Sequence, residues 1–200
     1  MANVDRPRGF TPVRLRSGAP WSGAARPYCV LASDSTALFI GDPVVKTGSA
    51  NTTFINGHLP GTLPTVARAT AGAANQITGV VVAVEPNTAD SLTYRAASTL
   101  RVVYVADDPE LVFQCQDDGA GTVAADLVGL NANVVYTHAG STATGRSGAE
   151  INGATWASDA TFQFTLQGLA RREGNEIADF ATWEVTINLH TERLAAVAGL

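Results

Sequence analysis

Two stretches late in the chain alternate apolar and polar residues with a period of two. Phe162, Phe164 and Leu166 alternate with Gln163, Thr165 and Gln167, and Trp183, Val185, Ile187 and Leu189 alternate with Glu184, Thr186, Asn188 and His190. Successive side chains on a strand point to opposite faces, so this pattern predicts two half-buried β-strands. Residues 77–84 and 101–105 are instead nearly continuous in Val, which predicts central strands buried on both faces. Leu111, Phe113 and Cys115 alternate in a further strand with Cys115 inward. Residues 28–31 and 37–40 are short apolar runs, and the second stops at Gly41-Asp42-Pro43, a turn signal, before Val44 and Val45 resume. Together they suggest a strand pair around a tight corner. Residues 133–137 supply one more strand.

Between these runs the chain is built for turns. It contains 19 Gly and 9 Pro, and its Ala residues follow no 3.6-residue period. The spacing of Val123, Leu127 and Leu130 permits one or two helical turns, with Thr122 as N-cap. Residues 47–65 read as a long surface loop that presents Phe54 and Ile55, and residues 139–153 as a mobile or partner-ordered loop. The densest charge cluster, Arg171, Arg172, Glu173, Glu176 and Asp179, lies in the connection between the two alternating strands. The expected fold class is mainly β, a β-sandwich, jelly roll or small barrel with an extended N-terminal arm and little helix.

Charge divides the chain unevenly. Residues 1–30 carry Arg6, Arg8, Arg14, Arg16 and Arg26 against the single acid Asp5, a net charge of +4, whereas the remaining residues carry −9. A basic leader on an acidic body reads as an arm that docks onto something negative. Residues 1–26 are therefore expected to form that arm and residues 27–200 a single β-rich domain. Phe10, Val13, Leu15 and Trp21 would be exposed without compensation in a free tail. The expected partner contacts are Phe10, Arg14, Arg16, Trp21 and Arg26 in the arm and Phe54 in the long loop. The arginines are diluted by Pro7, Pro12, Pro20 and Pro27 and form no nucleic-acid motif, so an acidic protein surface is the expected partner. Only 16% of residues are charged, against roughly 25% in soluble domains, which suits a surface covered by partners.

No residues are arranged for catalysis. His58 sits in a Gly/Pro loop, His138 at a strand end and His190 on the expected polar face of the last strand, none with a partner in the sequence pattern. Asp107-Asp108-Pro109-Glu110 and Asp117-Asp118-Gly119 are explained by turn chemistry and match no calcium-loop spacing. No phosphate-binding glycine pattern is present. The expectation is a non-enzyme without metal or cofactor, with Cys29 and Cys115 as buried free thiols in a reducing compartment. No apolar run reaches the length of a membrane span, and the first residues lack a signal-peptide layout, so synthesis in the cytoplasm is expected.

Several segments, in order, resemble a family of tailed-phage virion proteins, found especially with short-tailed phages, that decorate or cement the head. They are Gly9-Phe10-Thr11-Pro12-Val13-Arg14, Ser17-Gly18-Ala19-Pro20 and Ala37-Leu38-Phe39-Ile40-Gly41-Asp42-Pro43-Val44. Further along come Ile77-Thr78-Gly79-Val80-Val81-Val82, Val103-Tyr104-Val105-Ala106-Asp107-Asp108-Pro109, and Asn175-Glu176-Ile177 through Trp183-Glu184-Val185 to Ile187-Asn188. The resemblance implies a homotrimer on the outer capsid surface at local threefold positions, held by the major capsid protein, with no catalytic residue, cofactor, nucleic acid or membrane contact. Two alternatives stand beside this reading, the second from a different class. One is a head–tail connector or tail-fibre-associated structural protein. The other is a carbohydrate-binding or -degrading domain using Trp21, Trp156 and Phe54.

Overall fold

A computed structural model describes residues 3–193. Twelve β-strands are described: β1 (Thr11–Leu15), β2 (Arg26–Val30), β3 (Pro43–Ala50), β4 (Pro64–Arg68), β5 (Gly79–Val84), β6 (Arg101–Ala106), β7 (Leu111–Gln116), β8 (Asn131–Ala132), β9 (Val134–Val135), β10 (Glu150–Ile151), β11 (Phe164–Leu169) and β12 (Thr182–Ile187). Two 3₁₀ turns, Ala125–Leu127 and Gly153–Thr155, are the helical elements among the described residues. The chain is mainly β. It forms a closed five-stranded barrel, β2-β4-β3-β5-β6, and a five-stranded antiparallel sheet, β1-β7-β12-β11-β8, with β9 and β10 as a small separate pair.

The valine runs explain how these layers fit. In β5, Val81 faces the barrel interior with Tyr28, Val30, Leu38, Val44, Val66, Val103 and Val105. Its neighbour Val80 turns the other way and joins Phe10, Leu111, Phe113, Phe164, Trp183 and Val185 in the core shared with the sheet. Strand β5 thus has a barrel on one side and a sheet on the other, which is why its sequence shows no alternation. Gly79 allows the approach: a Cβ there would lie 2.3 Å from the Ala106 carbonyl oxygen. A third cluster, Cys29, Ile55, Leu63 and Val102, lies under residues 51–63. Both cysteines are free and buried.

Several expectations are corrected. Within the segment expected to be the docking arm, β1 pairs antiparallel with β7, Thr11 opposite Gln114 and Leu15 opposite Leu111, and β2 is a barrel stave from Arg26. The apolar residues of this segment needed a core, and the sheet supplies it. Residues 37–40 make isolated bridges from Leu38 to Arg95 and from Ile40 to Arg146 instead of a strand. The expected loop over 47–65 contains the end of β3 and the start of β4, and Ile55 is buried while Phe54 is exposed. Residues 139–153 are anchored through Ser147, Ala149, Glu150 and Ile151, all buried. Thr122 caps no helix; the turn over Ala125–Leu127 has no side-chain cap.

The alternation also misses at its ends. Gln163 is buried and Phe162 only half-buried, because Gln163 precedes β11 and its amide joins separate segments. Its Oε1 accepts from the Val134 and Gly72 amides, and its Nε2 donates to the Thr70 and Asn75 carbonyls. His190, expected on a polar face, lies beyond β12 and is buried in a bridge with Ile77.

Candidate docking site

Residues 3–10 run across one end of the sheet as a strap. Asn3 Nδ2 donates to the carbonyls of Glu176 at 2.9 Å and Asp179 at 3.1 Å, and its Oδ1 accepts the Glu176 amide at 3.0 Å. Gln116, at the end of β7, brackets the next residues: its Oε1 accepts from the Arg6 amide at 3.2 Å and its Nε2 donates to the Val4 carbonyl at 3.3 Å. Asp5 Oδ2 lies 3.8 Å from His138 Nε2, and His138 Nδ1 is 2.8 Å from Glu150 Oε2. That hydrogen bond to Glu150 raises the His138 pKa, and burial raises the pKa of Glu150.

The strap then crosses the Gly41-Asp42-Pro43 turn at van der Waals limits. Gly9 has φ +70°, and a Cβ on it would meet the Gly41 carbonyl oxygen at 2.6 Å. The Phe10 amide donates to that oxygen at 2.9 Å. Beneath, Asp42 accepts from the Ser147 hydroxyl through Oδ1 and from the Phe39 amide through Oδ2, tying the turn to residues 147–149. Phe10 stacks on Phe164 with ring centroids 4.4 Å apart and closes the segment into the core.

A cleft lies on each side of the strap, with volumes of about 570 and 670 Å³. Arg6, Arg8 and Thr11 form the wall common to both. Arg172, Gln114 and Gln116 line the first cleft, together with the acid Glu173. Arg146, Ser141 and Thr144 line the second, which holds no acidic residue. Arg6, Arg8 and Arg146 are exposed, and their side chains make no ion pair or hydrogen bond with the described residues. The arrangement offers several guanidinium forks and hydroxyls to an anionic group, the chemistry that recognises carboxylates.

Comparison with protein-family models, curated proteins and solved structures gives no match.

The six expected contact residues are scattered. Arg14 pairs with Glu184 at 2.7 Å, Arg26 with Asp107 at 2.6 Å, and Arg16 lies 3.8 Å from Glu110. Asp107 also accepts from the Tyr28 hydroxyl at 2.6 Å, so Arg26 serves the barrel wall. Phe10 is in the core, which corrects its expected role as a surface contact. Trp21 is half-buried against the core and donates Nε1 to the Ala24 carbonyl. Phe54 remains exposed, as does Leu59 in the same connection between β3 and β4. Sequence reasoning counted Arg6 and Arg8 in the charge but passed over them as contacts. The signal was the Arg6-Pro7-Arg8 spacing before Gly9: proline and the left-handed glycine leave that short segment few conformations. Arg146 and Arg172 carried no such signal, since only the fold brings them to the strap.

Proposed function

We propose that this chain is a structural virion protein that decorates and stabilises the outer surface of a tailed-phage capsid, as a homotrimer at local threefold positions. The observation that carries the reading is the set of uncompensated arginines, Arg6, Arg8 and Arg146, around two clefts on a body whose remaining charge is strongly negative. Of the five arginines in residues 1–30, Arg14, Arg16 and Arg26 face Glu184, Glu110 and Asp107, and the two without an acidic partner among the described residues, Arg6 and Arg8, line the clefts. An acidic segment of the major capsid protein has the matching chemistry. The segment-by-segment resemblance to phage decoration proteins supports the same role. Each cleft contact is weak in salt, and repetition around a trimer supplies the combined hold.

Deleting residues 1–26 would remove β1 and Phe10 from the core, so the useful variant is Arg6→Ser with Arg8→Ser, which leaves the pairing of β1 intact. Wild-type protein is expected to co-sediment with empty heads and to be released by raised salt, whereas the double variant fails to bind at the same salt. Equal binding by both proteins would overturn the docking assignment. In the native particle, a copy number matching the capsid's threefold positions supports decoration, and one matching the portal ring supports a connector instead.

A further inference from the structure

The strap carries a second feature that the docking reading does not use. Asp5, His138 and Glu150 come from three separate parts of the chain, and each presents one potential ligand atom within 4.8 Å of the others. Val135 pairs with Glu150 across β9 and β10, which fixes Glu150 beside the segment that leads to His138. Gly148 holds the returning chain close: a Cβ there would lie 2.4 Å from the His138 carbonyl oxygen. Asp5 reaches the pair from the strap.

Glu150 is the unusual member. It is fully buried, its Oε2 meets His138 Nδ1 at 2.8 Å, and its Oε1 has no hydrogen-bond partner. A buried carboxylate oxygen without a donor is costly, and a cation bound beside it would offset that cost. His138 and Asp5 are each about half exposed, so the third side of the cluster opens to solvent and an ion has a route in.

We propose that His138, Glu150 and Asp5 bind one divalent transition-metal ion of the zinc type, which clips the strap to the β9–β10 pair. An imidazole nitrogen with two carboxylates suits Zn²⁺ and its neighbours in the first transition row, whereas Ca²⁺ and Mg²⁺ favour oxygen ligands alone. The dication balances the two carboxylate charges and gives the unpaired Glu150 oxygen a partner. Solvent completes the coordination at the open side. The assignment is independent of which macromolecule occupies the clefts.

The test is calorimetric titration of the untagged, metal-stripped full chain with Zn²⁺, followed by Co²⁺ and its visible absorption as a report on ligand type. One equivalent of Zn²⁺ is expected, with an increase in thermal stability. His138→Ala, at a half-exposed position that disturbs no core, is expected to weaken binding about tenfold or more, as is the isosteric Glu150→Gln, while His58→Ala leaves it unchanged. Asp5→Asn is expected to weaken binding and to abolish the protection that Zn²⁺ gives the strap against limited proteolysis. Absence of Zn²⁺ binding by the wild-type chain, or binding that survives His138→Ala, would overturn the assignment.

Discussion

The imidazole of His190 is enclosed where the chain leaves β12 and bridges to Ile77, and its Nδ1 accepts the Glu192 amide at 3.0 Å. Burial lowers its pKa below the ordinary 6.5, with Arg193 acting in the same direction and Glu192 and Asp107 opposing. The folded chain therefore prefers the neutral ring, and protonation favours the unfolded one. Stability from this residue is fully present above the unfolded value of 6.5 and is lost as pH falls through the lowered folded value. Wild-type protein should accordingly lose melting temperature between about pH 7 and about pH 5, and His190→Asn should flatten that slope. Buried Asp42 and Asp117 act oppositely: burial raises both pKa values, so their relative contribution is lost as pH rises through the raised values. The difference between wild type and variant over the same pH range isolates the histidine. Identical slopes would show that His190 titrates alike in both states.

Arg95 sets the conformation of the connection between β2 and β3. Its side chain is completely buried, with Nε donating to the Thr99 carbonyl at 2.8 Å and Nη2 to the carbonyls of Leu31 at 2.7 Å and Asp34 at 2.8 Å. Nη1 donates to the Thr36 carbonyl at 2.5 Å. One guanidinium thus serves the backbone of two connections in place of a strand. Arg95→Ala should cost about 3 kcal/mol in urea unfolding, because several buried carbonyls lose charged donors, and Arg95→Lys should recover only part of it. A loss below about 1 kcal/mol would mean that water replaces the fork. Nothing in the sequence announces this arginine, since its partners are backbone oxygens. The same holds for residues 139–153, whose small residues looked mobile, yet Ser147 and Ile40 draw them into the core from far along the chain. By contrast β5, β6, β11 and β12 were legible, since hydrophobic period depends on local residues and on whether one face or two are covered. The candidate site was half legible. Arg6 and Arg8 stand out as charge, but the neutralisation of Arg14 by Glu184 and of Arg26 by Asp107 is a property of the folded chain alone.

The barrel and the sheet are not separable bodies. The chain starts in the sheet with β1, enters the barrel with β2 and returns to the sheet only at β7, and Phe10, Val80, Ala106 and Phe113 share one core across the junction. Unfolding should therefore be a single transition whether followed by tryptophan fluorescence, from the sheet side, or by far-ultraviolet circular dichroism. Phe10→Ala should lower that single transition by about 3–5 kcal/mol, and not detach the sheet from a surviving barrel. Two transitions in the wild type would contradict the shared core. The pairing of β1 with β7 has a further consequence during synthesis. Thr11 cannot meet Gln114 until the intervening hundred or so residues have been made, a wait of about 5–20 s at ordinary translation rates. Throughout that interval Phe10, Val13 and Leu15 are without their sheet, and the arginines around them are the kind of charge that opposes aggregation of an unpaired apolar strand.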